Sequence, residues 1–210
     1  MTAPARTAAD ARERILEAAC DVIAEHGIED VRIARIATVA GVSPALVHYH
    51  FATREALLSE ALEHSFELLG DMRTTPAVAE GWTSAQRLGW MIDQSLPFKG
   101  LGEREWRLWL ELWGRAARHP ELRPVAARLY ERYDEWIAQV VEEGIGSGEF
   151  SSGDAAAVTQ RLIAAIDGHG LRVLVDDPAM TPARARGLIV GALAEQLGTD
   201  AGAFDRTGGT

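Results

Sequence analysis

The sequence predicts an all-α protein of about nine helices, in which a three-helix N-terminal domain precedes a larger helical domain. Apolar residues recur at the i, i+3, i+4, i+7 spacing of an amphipathic helix, as in the stripe Ile15, Ala18, Ala19, Val22 and Ile23. Gly and Pro separate successive helical blocks, and no stretch has the strict alternation typical of a β-strand. Both patterns indicate helices packed on helices.

The N-terminal domain, residues 8–53, contains predicted helices at 8–26, 33–40 and 44–50. Gly27 and Gly41 suit the ends of the first two helices, because glycine readily adopts the left-handed conformation that follows a helix. Ser43 is a good N-cap and Pro44 fits the first helical position, so this pair marks the start of the third helix. The apolar residues expected to pack the domain together are Val31, Ile36, Ala37, Val42, Leu46 and Val47.

The larger domain, residues 54–198, begins with a long helix that Thr53 caps. This helix is expected to end near Met72, before a loop around Pro76. Five further blocks follow, at 83–96, 103–119, 124–143, 154–175 and 182–198. The tail, residues 199–210, has little apolar surface to bury and is expected to be disordered.

Composition is typical of a globular cytoplasmic protein. Of the 210 residues, 47% are hydrophobic and 25% are charged. No run of about 18 apolar residues could span a bilayer, and the first residues lack the apolar core of a secretory signal. The single cysteine, Cys20, allows no internal disulfide and no multi-cysteine metal site, which fits a reducing compartment. We expect a cytoplasmic protein with no cofactor and no metal.

Charge is distributed unevenly along the chain. The net charge is −10, yet the stretch 31–54 contains Arg32, Arg35 and Arg54 and no acidic residue. Such a basic face can bind phosphates while the acidic remainder repels them, so the protein would need sequence-specific contacts to bind DNA well.

Residues 33–51, IARIATVAGVSPALVHYHF, have the organisation of a helix-turn-helix. A glycine in the turn and a capping serine allow two short helices to cross steeply. The small, polar and aromatic residues left at or near the surface of the second helix are Ser43, Pro44, Ala45, His48, Tyr49 and His50. This face suits the DNA major groove, where small residues permit close approach and ring edges reach bases or phosphates.

The segment AGVSPALVHYHFATREAL resembles the signature of TetR-family transcriptional regulators, which combine an AGVS turn, an aromatic end to the recognition helix and a Ser/Thr-Lys-Glu start to the fourth helix. The resemblance extends over residues 8–62, and beyond them the chain is similar to the family in layout only. It implies that base edges or sugars are contacted by Pro44, Ala45, Tyr49 and His50. It also implies phosphate contacts from His48, which replaces a Tyr, and from Arg54, which replaces a Lys.

Other functions stay open on the sequence alone. One is an all-α enzyme or small-molecule carrier with an incidental helix-turn-helix, although no HExxH, GxSxG, P-loop or paired-cysteine motif occurs. Another is an architectural DNA-binding protein without an effector, although the long tryptophan-rich helical block exceeds what dimerisation needs. A metal site at His48 and His50 is disfavoured, because i and i+2 side chains diverge on a helix.

All six tryptophans follow residue 80. Trp106, Trp109 and Trp113 recur at helical spacing on one block, and Tyr130, Tyr133 and Trp136 recur on the next. These rings either fill a core or line an apolar ligand pocket, and TetR-like sensors keep such a pocket among the middle helices. Aromatic faces near Glu111, Asp134 and Asp167 would favour a cationic or amine-bearing effector.

The last two helices carry small residues that permit close packing, including Gly168, Gly170, Gly187 and Gly191. Glycine inside a helix costs about 1 kcal/mol relative to alanine, so these positions need a structural reason. Packing within one subunit is one reason, and the resemblance implies another, a four-helix dimer interface. A dimer would read a palindromic operator with half-sites about 34–36 Å apart. A repressor switched by a small-molecule effector is the default expectation.

Arg32 stands where the family commonly has a Ser or Thr cap for the second helix, and a cation is unfavourable at a helix N-terminus. We predict that Arg32 contacts a DNA phosphate. Arg32→Ala should therefore make operator binding less dependent on salt, as measured by titrations over a range of salt concentrations. An unchanged salt dependence would contradict this role.

Overall fold

The computed structural model describes residues 8–79, 81–98, 101–151 and 153–205. Within these ranges the chain forms nine α-helices and two short 3₁₀ turns and contains no β-strand, so the predicted all-α class is confirmed. None of the described helices combines the length and the apolarity that crossing a bilayer requires.

The first three helices lie at their predicted positions: α1 (Ala8–His26), α2 (Ile33–Ala40) and α3 (Pro44–His50). The predicted stripe of α1 is buried, and it packs with side chains from α2 and α3 that include Ile36, Ala37 and Val47. Val42 and Leu46, which were expected in this core, are only half-buried. They lie next to the exposed turn between α2 and α3, where water reaches part of each side chain.

Six longer helices follow: α4 (Arg54–Ala79), α5 (Ser84–Ser95), α6 (Leu101–Arg118), α7 (Arg123–Gly146), α8 (Ala155–Leu174) and α9 (Pro182–Leu197). Side-chain oxygens of Thr53, Thr83, Asp154 and Thr181 accept hydrogen bonds from backbone N–H groups in the first turns of α4, α5, α8 and α9. These caps fix where the helices begin, because the first N–H groups of a helix have no intrahelical partner.

Two predicted helix ends are wrong. Helix α4 continues to Ala79, past the predicted end at Met72 and the predicted loop around Pro76. Proline has a helical φ, so it can stay in a helix at the cost of a backbone hydrogen bond. Helix α7 continues past Gly144 to Gly146. Gly144 is needed there for packing, since a Cβ at this position would overlap the ring of Phe150.

The chain divides into two compact units. The first contains Met1–Leu69 and Arg107–Ala126, and the second contains Gly70–Trp106 and Ala127–Thr210. Helices α4, α6 and α7 each contribute residues to both units. The division falls inside these continuous helices, with Gly70 at its position in α4, and the predicted domain boundary after residue 53 stays a prediction.

The core of the second unit includes buried residues of α5, α8 and α9. The prediction that the tail is disordered from residue 199 is wrong for 199–205, and residues 206–210 lie outside the described part. Ala201–Phe204 form a 3₁₀ turn that ends in the buried Phe204. Gly89 on α5 lets this turn approach closely, because a Cβ there would overlap the carbonyl of Phe204. The buried ring and an ion pair between Arg186 and Asp205 both hold this segment.

Candidate functional sites

The turn between α2 and α3 is set by local backbone chemistry. Gly41 adopts the left-handed conformation, with φ 65°, and ends α2. Ser43 then accepts a hydrogen bond from the Leu46 N–H at its Oγ, 3.2 Å away, and Pro44 occupies the first turn of α3. Three residues therefore separate the two helices, an arrangement typical of a helix-turn-helix.

The outer face of α3 is open to solvent. Pro44, Ala45, His48 and Tyr49 are exposed, and the Tyr49 side chain is 80% accessible. Val47, on the opposite face, is fully buried. The predicted DNA-contacting residues Pro44, Ala45, His48 and Tyr49 thus share one accessible surface, here called the α3 face.

His50 differs from the other predicted contact residues of α3. It is half-buried, with its ring 5.2 Å from that of Tyr49 in an edge-to-face arrangement. Its Nε2 is buried and has no hydrogen-bond partner among the described residues. Ser43, another predicted contact residue, is exposed, and its hydroxyl oxygen caps α3 by accepting a hydrogen bond from the Leu46 N–H.

Arg32, the residue that precedes α2, is exposed and makes no capping hydrogen bond with its side chain. Arg35, on the first turn of α2, is also exposed. Two arginines therefore stand at the solvent-facing start of α2, where a DNA backbone could reach them.

Arg54 occupies a different environment from the one that the resemblance implies. Its Nε donates to the carbonyl oxygen of Val31 at 2.9 Å, and its Nη2 donates to the carbonyl oxygens of Ile28 and of Glu29, the latter at 3.3 Å. The guanidinium thus fixes the connection between α1 and α2. A phosphate contact would compete with these bonds.

Arg54→Ala should lower the free energy of unfolding by about 1.5–3 kcal/mol, because three carbonyl groups lose a charged donor. Urea denaturation of the free protein measures this change. Arg35→Ala, which removes an exposed arginine from the same unit, is the control and should leave stability within about 0.5 kcal/mol. If Arg54→Ala kept full stability and only weakened salt-dependent DNA binding, the phosphate role would be right instead.

The eight residues predicted to contact an effector are divided between the two units. Trp109 and Trp113 belong to the first unit, where Trp109 packs edge-on against Phe66 at 5.6 Å and lies 5.5 Å from Trp113. The other six are in the second unit: Trp106, Tyr130, Tyr133, Asp134, Trp136 and Asp167. The three tryptophans of α6 thus belong to different units, and their predicted effector contacts stay a prediction.

Two of the second-unit rings are anchored on Ser95, at the end of α5. The Trp106 indole N–H donates to the Ser95 carbonyl at 2.8 Å, and the Tyr133 hydroxyl donates to the Ser95 Oγ at 2.7 Å. Ser95 itself donates to the Met91 carbonyl at 2.6 Å. All four residues are buried, so this polar network is satisfied internally.

Asp167 on α8 differs from the neutral network around Ser95, because it is a half-buried carboxylate. The Tyr130 hydroxyl donates to its Oδ2 at 2.9 Å, and no cationic side chain among the described residues pairs with it. Burial raises the pKa of the Asp167 carboxyl, and the bond from Tyr130 opposes that rise only in part. Burial also raises the pKa of Asp134, on α7. The ring of Trp136 already faces a cation, the Arg132 guanidinium, at 5.7 Å.

The predicted glycines of α8 and α9 fall into two groups. A Cβ at Gly168, Gly187 or Gly191 would meet no atom within 4 Å, so packing inside the subunit does not explain these residues. Gly170 is buried, and a Cβ there would overlap the ring of Trp106. Close packing against Trp106 within the second unit therefore explains why position 170 is a glycine.

Sequence reasoning missed Ser95 and misplaced Glu111. Glu111 was expected near the aromatic rings as a negative charge, but its Oε2 accepts a hydrogen bond from the backbone N–H of Ile28 at 3.1 Å. No local pattern marks either residue, since each acts on a partner that is distant in sequence. Only the three-dimensional arrangement reveals them.

The helix-turn-helix and the helical second unit define the class of protein. A family model for the bacterial regulatory proteins of the tetR family matches residues 15–61, and a model for the C-terminal domain of BetI-type transcriptional repressors matches residues 84–198. The chain therefore belongs to the TetR family of DNA-binding transcriptional regulators. Within that family its C-terminal part is of the BetI type.

Individual relatives agree with this assignment. A transcriptional regulator from Saccharomonospora viridis, crystallised in complex with choline, is 33% identical, with 89% of this chain and 96% of that one covered and a TM-score of 0.78. A TetR-family regulator from Rhodococcus sp. is 27% identical, with 90% and 99% covered and a TM-score of 0.80. The HTH-type transcriptional regulator BetI of Brucella anthropi is 27% identical over 186 residues, 89% of this chain and 93% of its own.

Proposed function

We propose that this regulator is a dimeric repressor that binds a palindromic operator through the α3 face and is released by a quaternary ammonium compound such as choline. The observation that carries the effector assignment is Asp167, a partly buried carboxylate with no cationic partner among the described residues. The exposed α3 face and the family membership support the DNA-binding part.

Operator binding would place α3 in the major groove. Tyr49, with Ala45 beside it, would meet base edges, and His48 would reach a phosphate from the edge of the same face. Arg32 would add a phosphate contact at the start of α2. Two copies of this face, about 34–36 Å apart, would read successive major grooves and so require a palindrome.

Dimerisation is supported by an uncovered surface on α8 and α9. Leu171, Val175 and Leu188 are exposed apolar side chains, at 41%, 63% and 45%. Gly168 and Gly187 accompany them and leave room for the backbone of a second subunit to approach. Apolar residues interspersed with glycine on two neighbouring helices fit a helix-to-helix interface better than a solvated surface.

Leu188→Arg should convert the dimer to a monomer, because the new charge would have to be buried at the interface. Sedimentation velocity at micromolar concentration measures this change, and operator affinity should fall with it. Ala127→Arg, an exposed position on α7, is the matched control and should stay dimeric. Dimers of unchanged stability in the Leu188 variant would place the interface elsewhere.

Charge compensation at Asp167 supports a cationic effector. A carboxylate removed from water loses hydration, and the one hydrogen bond from Tyr130 replaces only a part of it. A quaternary ammonium ion offers no N–H donor, so it is recognised by negative charge and by aromatic faces. Asp167 supplies the first and Tyr130 the second, and the S. viridis regulator that binds choline is similar over most of the chain.

The switch would then be a shift of population. Choline that binds one arrangement of the second unit more tightly stabilises that arrangement. The choline-bound arrangement and the operator-bound arrangement would differ in the spacing of the two α3 faces. Choline binding and DNA binding would then oppose each other. The protein would leave its operator when choline is abundant.

Asp167→Asn keeps an acceptor for Tyr130 but removes the charge. Choline affinity, measured by isothermal titration, should fall roughly 30-fold, in line with the loss of one partner from a shielded charge pair. The matched control is Asp176→Asn on an exposed residue. An affinity for choline that is equal in the Asp167 variant and the wild type would contradict the proposal.

The same variant tests the pKa of Asp167. Because burial raises the folded-state pKa above the ordinary value of 3.8, the ionised carboxylate destabilises the folded protein above that raised pKa, and this cost disappears below 3.8. Asp167→Asn should therefore raise the melting temperature at pH 7 and not at pH 3.5. Choline affinity of the wild type should fall as the pH falls through the raised pKa.

A further inference from the structure

The connection between α1 and α2, residues 27–32, is here called the linker. It begins at Gly27, which has φ 72° and ends α1, and it closes with Arg32 at the start of α2. Ile28 and Val31 bury their side chains, whereas Glu29 and Asp30 are exposed. The linker therefore sets where Arg32 stands relative to the helix-turn-helix.

Two helices hold the linker from different sides. Arg54 of α4 binds three of its carbonyl oxygens, as described above. Glu111 of α6 accepts a hydrogen bond from one N–H group of the linker, that of Ile28, with an N···O distance of 3.1 Å. Both partners of this last bond are at least half-buried, so water competes for them less than at an exposed site.

Gly27 makes room for the Glu111 carboxylate. A Cβ at position 27 would lie 3.3 Å from Glu111 Oε1, closer than side chains normally approach. One turn further along α6, Arg115 Nη1 lies 3.5 Å from Glu29 Oε1. The Glu29 side chain is 75% exposed, so this ion pair adds little, and Glu111 is the firmer of the two contacts from α6.

We infer that Glu111 is a positioning residue for DNA binding: by holding the Ile28 N–H it fixes the linker so that Arg32 meets the operator backbone. This inference rests on the proposed phosphate contact of Arg32. Glu111 itself touches no DNA. Its side chain acts through four residues of backbone, and α6 thereby becomes a determinant of operator affinity although it is remote in sequence from the helix-turn-helix.

The role is separable from folding. Without Glu111 the linker keeps its three bonds to Arg54, so the first unit should stay folded while residues 28–32 gain freedom. Glu111→Gln retains an oxygen acceptor for the Ile28 N–H and loses only the charge. Glu111→Ala removes both the hydrogen bond and the charge. A comparison of Glu111→Ala with Glu111→Gln therefore distinguishes the two contributions.

The experiment measures operator affinity against salt for the full-length protein, using a DNA fragment that the wild type selects from genomic DNA. Glu111→Ala should bind at least about fivefold more weakly at one salt concentration. The slope of log affinity against log salt is negative, and each lost phosphate contact makes it less steep by about 0.9, so for a dimer it should become less steep by about 1.8. Glu111→Gln should stay within about twofold of the wild type, as should Glu142→Ala, an exposed glutamate on α7.

A double variant decides whether Glu111 acts through Arg32. Arg32→Ala combined with Glu111→Ala should have the same slope as Arg32→Ala alone, because the contact is already lost. Wild-type binding by Glu111→Ala, weaker binding at an unchanged slope, or additive slopes in the double variant would each overturn the inference. An unchanged slope for Arg32→Ala alone would instead show that the phosphate contact itself does not exist.

Discussion

The three carbonyl oxygens that Arg54 satisfies are the constraint on which the DNA-binding unit depends. They belong to Ile28, Glu29 and Val31, in a segment that is neither helix nor strand and whose apolar side chains are buried. Irregular backbone shielded from water needs hydrogen-bond partners from elsewhere. A guanidinium with a fixed fork of donors can serve several carbonyls at once, which an ammonium serves less well. The first turn of α4 is thereby tied to the helix-turn-helix.

Two kinds of polar side chain lie away from water in the second unit. Around Ser95 the donors of Trp106, Tyr133 and Ser95 each meet an acceptor, and these bonds hold Trp106 and Tyr133 in place. Asp167 is a carboxylate that accepts a hydrogen bond from Tyr130 and pairs with no cation among the described residues. A protein that gained only stability from these residues would have a neutral side chain at 167. Under the proposed function a cationic ligand would complete the site, so that local stability and function would diverge at this residue.

The sequence predicted those features that arise from neighbouring residues. The helix-turn-helix could be read because Gly41, Ser43 and Pro44 each carry their own backbone preference, and most helix starts could be read from their caps. Features that depend on distant partners could not be read. The bonds from Arg54 to the linker carbonyls had no signal in the sequence, and Phe204 has no repeating pattern around it to signal that its ring is buried. The candidate effector cluster was predicted by residue type, and its division between units was not.

The contact between Trp106 and Gly170 has a consequence for the evolution of this protein. The indole ring fills the space where any side chain at position 170 would stand, and its N–H is committed to Ser95. A larger residue at 170 would displace the ring, and a smaller residue at 106 would leave a cavity. The two positions can therefore change safely only as a pair. Lineages that diversify the ligand specificity of this unit would have to exchange both volumes together, which makes this pair a slow step in the remodelling of the second unit.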